Sequence, residues 1–181
     1  SGAILAAGLS GCNRTQSTET LLAEATDYQK KGDIKAALIQ LKNAVANSPE
    51  NGEARMALGT LQLSTGDAVS AEKEFGRARS LNIPAARVLP LLGQALTQQG
   101  KFKEVLTEIT PEAAAGSAPL LSLRADALLG SGKPEEAQQA YAAALAADAN
   151  SGEALMGMAR MAAAKGDRET AQRYVEDAVA K

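Results

Sequence analysis

The chain has no histidine, no tryptophan, a single cysteine, two phenylalanines and three tyrosines in 181 residues. Without histidine it lacks the usual general base near neutral pH and the commonest metal ligand. One cysteine, Cys12, excludes a disulfide framework and a cysteine-based metal site within one chain. Aromatics at 3% leave no stacking platform for bases. Nineteen Lys and Arg against 21 Asp and Glu give a net charge of -2. No basic surface therefore recruits phosphates, and no nucleic-acid partner is expected. The chain is read as non-catalytic, with no cofactor and no metal.

What the chain does have is alanine and other apolar residues, 45% of the sequence. β-Branched residues are sparse, which favours closely packed helices over sheets. Ala3 to Leu9 form a short apolar run, too brief to span a bilayer but of the size of the end of a signal-peptide core. No methionine or basic stretch precedes it, so the sequence is expected to begin inside its signal peptide. Leu9-Ser10-Gly11-Cys12 follows and resembles the lipobox of bacterial lipoproteins, which implies diacylglycerol on the Cys12 thiol. The expected divisions are residues 1–12 as the end of the signal peptide, 13–18 as a polar tether, and 18–181 as a folded array. By the same resemblance the protein faces the periplasm, lipid-anchored in the cell envelope, at the outer membrane.

The strongest signal is self-similarity. Gly32, Gly66, Gly100, Gly132 and Gly166 each close a run of helix-forming residues, at spacings near 34. Such a glycine ends a first helix, and Asp33, Asp67 and Asp167 stand directly after it to cap a second. Lys133-Pro134 opens its helix instead with proline in the first turn. Small residues recur in the first helices at Ala25, Gly59, Gly93, Ala125 and Ala159. Larger ones recur in the second helices at Leu41, Phe75, Ile109, Tyr141 and Val175.

This pattern resembles the tetratricopeptide repeat (TPR) family over Thr18 through Lys181, with Leu21, Arg55, Leu89, Leu121 and Leu155 where the family usually has tryptophan. The implied fold is all-α: a right-handed α-solenoid of five TPR-type helical hairpins, irregular at the third. The units are expected at about residues 18–51, 52–85, 86–117, 118–151 and 152–181. In the third, Thr110-Pro111 is expected to stop the second helix. Glu112 to Ser117 would then form a linker, with a change of curvature, a hinge or a docking notch at the joint with unit four.

Gly130-Ser131-Gly132-Lys133 has the look of a phosphate-binding loop. It fails that motif, because Ala127 stands at the first glycine position and Pro134 at the Ser/Thr position. The acidic pairs Glu72 with Glu74 and Glu135 with Glu136 read as solvated helix faces.

The family resemblance implies a protein or peptide partner on the concave face, which the first helices line. The expected contacts are Leu22 and Thr26 in the first unit, and Met56, Thr60 and Leu63 in the second. Leu91 and Gln94 follow in the third, Ser122 and Asp126 in the fourth, and Met156 and Arg160 in the fifth. The positions of the carboxylate clamp found in some members carry Leu22, Thr26, Ala57, Arg87 and Leu91, so that clamp is not expected. The face has no aromatic platform for a glycan.

Leu21 through Leu106 is similar to a narrower group, the TPR lipoproteins encoded with exosortase and PEP-CTERM protein-sorting systems. The similarity rests on Ala36 to Ala44, Ala71 to Phe75, Val88 to Leu92 and Gly100-Lys101-Phe102. It implies a scaffold in an exopolysaccharide or protein-sorting system. The alternative is an outer-membrane assembly or polysaccharide-export TPR lipoprotein. Because the last hairpin has no polar capping helix, its edge near Tyr174 and Val175 is expected to meet further repeats.

Overall fold

A computed structural model describes residues 16–180. The described residues form eleven α-helices and no strand. Four regular hairpins pair α1 (Thr18–Lys30) with α2 (Ile34–Asn47), α3 (Gly52–Ser64) with α4 (Ala68–Ser80), α8 (Ala118–Gly130) with α9 (Pro134–Ala147), and α10 (Gly152–Ala164) with α11 (Arg168–Val179). The third unit pairs α5 (Ala85–Gln98) with a short α6 (Phe102–Glu108), followed by a single turn, α7 (Pro111–Ala114). The chain is thus a solenoid of five helical hairpins, irregular at the third. Among the described residues, no helix is long and apolar enough to cross a membrane.

Every hairpin turn carries a glycine in the left-handed conformation, and three of the five add an aspartate cap. At Gly66, φ is +85°, a left-handed conformation that glycine adopts without a Cβ penalty. The turn lets Asp67 N–H donate to Gln62 O at 2.8 Å, which closes α3 in a Schellman arrangement. Asp67 Oδ1 then accepts from Ser70 N–H at 3.1 Å and caps α4. Asp33 and Asp167 cap α2 and α11 in the same manner. Gly130 to Lys133 are the corresponding turn between α8 and α9, where Lys133 pairs with Glu136. Glu72 accepts from Gln99 and Lys101, and Glu74 pairs with Arg55, so these two carboxylates serve different partners.

The large second-helix residues fill the core. Leu41, Phe75, Ile109 and Tyr141 are all buried, each worth on the order of 1.5–3 kcal/mol in apolar transfer. Room for them comes from missing side chains opposite. A Cβ on Gly59 would stand 2.8 Å from Phe75 Cε1, and one on Gly93 2.6 Å from Ile109 Cδ1. Tyr141 lies against Gly157 of the next unit, a position that the repeat pattern did not single out.

The third unit is irregular in a different way from the expected linker. Thr110 does not only end a helix: its Oγ1 accepts from Ala113 N–H and caps α7, with Pro111 at the first helical position. Ala114 of that turn is buried. The carbonyls that the short α6 leaves open are taken by Arg124 of α8, whose guanidinium donates to Ile109 O and, at 3.3 Å, to Leu106 O. Arg124 thereby ties α8 of unit four to the end of α6.

The start of the array also reaches into the expected tether. Ser17 caps α1, Thr18 is buried against Ser48, and Asn47 holds Gln16 O. At the other end α11 buries no residue, and Val175 and Val179 are 39% and 76% exposed. Cys12, the apolar run and residues 13–15 lie outside the described residues.

Candidate partner-binding face

The first helices α1, α3, α5, α8 and α10 place equivalent positions in columns one unit apart. One column is Leu22, Met56, Pro90, Ser122 and Met156; four residues on, Thr26, Thr60, Gln94, Asp126 and Arg160 form a second. The second column is polar and outward, Asp126 being half-buried and the other four exposed. Thr26 and Thr60 donate back to the carbonyls of Leu22 and Met56, at 3.0 and 2.8 Å.

Two clefts open on this face. The first, about 460 Å³, lies across α1, α3 and α5, with Met56, Ala57 and Leu91 apolar and Gln29, Glu53 and Arg87 polar. Arg87 grips Glu53 with both nitrogens, at 2.5 and 2.7 Å. That hydrogen bonding, opposed by slight burial, holds the Glu53 carboxyl below its ordinary range. Both side chains are about half exposed, so solvent screening leaves the pair with little net effect on stability. Arg87, the one basic residue at the clamp positions, is thus already engaged.

The second cleft, about 230 Å³, lies where α5, α8 and α10 meet. Gln94, Thr97 and Gln98 form one wall, with Ser122, Asp126 and Glu153 opposite. Asp126 Oδ1 accepts from the Tyr141 hydroxyl at 2.6 Å and from Arg160 at 2.5 Å, and Arg160 also reaches the Tyr141 oxygen at 3.2 Å. Burial first, and the Asp126 carboxylate second, push the Tyr141 phenol above its ordinary value, so it stays a neutral donor. A core tyrosine thereby fixes a carboxylate of the outer face. The sequence pattern gave Tyr141 a packing role only.

Of the expected contacts, Thr26, Thr60, Gln94, Met156 and Arg160 are exposed, and Leu22, Leu91 and Asp126 are half-buried. Three are buried. Met56 and Leu63 belong to the hydrophobic core around Phe75 and Val88, and Ser122 is 1% exposed. A first helix in a solenoid is covered by its own hairpin partner and by the preceding unit, so little of its circumference remains free. Met56 and Ser122 still floor the two clefts, whereas Leu63 borders neither. Among the described residues no group of three or more His, Cys, Asp or Glu is arranged to hold a metal.

Repeated helical hairpins with turn glycines, capping aspartates and clefts along the first helices define a helical-repeat interaction scaffold. The tetratricopeptide repeat profile matches residues 22–80 and 122–181, and the chain belongs to that family. The unmatched stretch between contains the irregular third unit. No curated protein sequence matches the chain. Among solved structures, MamA from Desulfovibrio magneticus RS-1 is similar with a TM-score of 0.74 and 19% identity, over 90% of this chain and 93% of that one. Pseudomonas aeruginosa pilF gives 0.69 and 18%, over 90% and 75%. YrrB, described as a TPR protein with an unusual peptide-binding site, gives 0.63 and 17%, over 92% of each. At these identities the likeness is one of fold.

Proposed function

We propose that the chain holds a segment of a protein partner against its first-helix face while lipid on Cys12 tethers it to the bacterial envelope. The observation that carries the binding half is the pair of clefts on one face, each walled by first helices of successive units. Clefts of mixed polar and apolar lining, strung along successive units, suit an extended segment better than a free small molecule. The peptide-binding site described for YrrB is in keeping with such a role. Photo-crosslinking residues placed at Thr60 and Gln94 should capture partner, whereas one at Lys103, exposed on α6, should not. Adducts from Lys103 alone would remove the binding reading.

The tether rests on the order of apolar run, lipobox and polar stretch in the sequence. Radiolabelled palmitate should enter the full-length chain in a bacterial host, and Cys12→Ala should abolish it; label retained in that variant refutes the anchor. The setting we propose is an exopolysaccharide or PEP-CTERM protein-sorting system at the outer membrane, on the resemblance carried by Ala36 to Ala44 and Val88 to Leu92. Stoichiometric co-purification with a barrel or secretin from solubilised envelopes would favour the assembly or export alternative. We also propose that a following repeat packs on α11, because Leu41, Phe75 and Tyr141 at the matching positions of α2, α4 and α9 are buried, whereas Val175 is 39% exposed.

A further inference from the structure

The cleft between α5, α8 and α10 differs from its neighbour in charge. It is lined by Asp126 and Glu153 and by no cationic side chain. Asp126 is already satisfied by Arg160 and Tyr141. Glu153, exposed in the first turn of α10, forms no hydrogen bond or ion pair, so its charge is the one left unbalanced. On the opposite wall Gln94 and Gln98 stand one helical turn apart, with neither amide committed to another side chain or to the backbone.

A second observation is independent of the charges. Ser122 occupies a floor column whose other members are Leu22, Met56, Pro90 and Met156. Its hydroxyl is buried, borders this cleft and has no hydrogen-bond partner. Buried hydroxyls are nearly always satisfied, and a serine hydroxyl needs rotation about only one torsion to meet a new partner. At about 230 Å³ the cleft is smaller than the roughly 300–1,000 Å³ of small-molecule sites, and has room for one or two side chains of a longer segment.

We propose that this cleft binds an extended peptide segment through a lysine or arginine side chain. The cationic head lies against Glu153 beside Asp126, the Gln94 and Gln98 amides meet the peptide backbone, and the Ser122 hydroxyl takes up a polar group of the ligand. The proposal rests on the reading of the first-helix face as the partner-binding surface, and adds which cleft discriminates and for what chemistry.

The probe is a library of acetylated, amidated hexapeptides pooled by one fixed residue: Lys, Arg, Glu, Leu or Gly. Binding to the intact chain is followed by NMR titration and by calorimetry. The Lys and Arg pools are expected to bind best, shifting resonances of α5, α8 and α10. Glu153→Gln should weaken them about tenfold, as loss of a charged contact does. Glu104→Gln, exposed on α6 outside both clefts, should leave them unchanged, and Ser122→Ala should weaken every pool that binds. Far-UV circular dichroism confirms that the variants fold, and Glu153→Lys provides a second test in which the preference moves to the Glu pool. If pools bind without a basic preference, or shift only the α1 and α3 cleft, this proposal is overturned and the scaffold reading stands. If no pool binds at all, both are overturned.

Discussion

Substituting Gly157 with alanine sets two effects of known size against each other. Alanine is a better helix former than glycine by about 0.8–1.0 kcal/mol, and Gly157 lies inside α10, so propensity alone predicts a gain. The added Cβ, however, would overlap Cε1 and Cζ of Tyr141 and stand 2.8 Å from its Cδ1. That ring is fully buried and its hydroxyl is held by Asp126, so it has no free direction in which to retreat. Overpacking of this kind costs about 1–3 kcal/mol. A ring displaced from Asp126 forfeits a further ~1 kcal/mol or more of hydrogen bonding. Packing wins, and Gly157→Ala should be destabilised by about 1–3 kcal/mol. Gly76 in α4 is the control: nothing lies within 4 Å of its Cβ position, so Gly76→Ala should gain about 0.5–1 kcal/mol. Urea unfolding followed by circular dichroism at 222 nm compares the midpoints. A second cycle in a Tyr141→Leu background should remove most of the Gly157→Ala penalty, because the two residues act through one contact. A Gly157→Ala chain as stable as the parent would refute the inter-unit packing of Tyr141 described above.

Arg124→Ala should destabilise the chain by about 1–3 kcal/mol, since it strips hydrogen bonds from the Leu106 and Ile109 carbonyls. Amide exchange should quicken first in α6 and α7, and uniform quickening along the chain would refute that role. The capping aspartates predict a pH dependence. Hydrogen bonds from Ser70 and Thr170 hold the Asp67 and Asp167 carboxyls below their ordinary value. A depressed folded pKa stabilises above the unfolded value, so their contribution is complete above roughly pH 4 and is withdrawn as pH falls below it. Asp67→Asn with Asp167→Asn should flatten the loss of thermal stability between about pH 5 and 2. An unchanged acid limb in that variant would show that these caps do not carry it.

How legible these features were in the sequence depended on whether a contact repeats. The turn glycines and their following aspartates recur with the period, so the hairpins and the Asp33, Asp67 and Asp167 caps could be read directly. Leu41, Phe75, Ile109 and Tyr141 were equally visible as core, since helical spacing leaves them one direction to face. Gly157 was missed because Tyr141 reaches across a unit boundary, and the small-residue set that includes Ala159 records the contacts within each unit. Thr110-Pro111 was read as a stop because a threonine and proline end one helix and begin another with the same chemistry; only the bond from Ala113 N–H decides between them. Met56, Leu63 and Ser122 are more deeply buried than their helical positions suggested, because a single helix has two sides, whereas a helix inside an array is contacted from three.

The charges on that face are disposed so as to bias what it can hold. Arg87 is tied to Glu53, and Arg160 to Asp126 and Tyr141. An acidic segment would have to displace one of these partners and leave a carboxylate unpaired. Each exposed pair contributes little to stability. Their larger effect is on selectivity, because a displaced partner counts against the wrong ligand and costs the right one nothing. Glu153 meets no such competition, so a cation entering between α5, α8 and α10 gains a contact without breaking one. Two faces of equal net charge would differ in preference on this ground alone. The difference here arises from which carboxylates the chain's own arginines leave free.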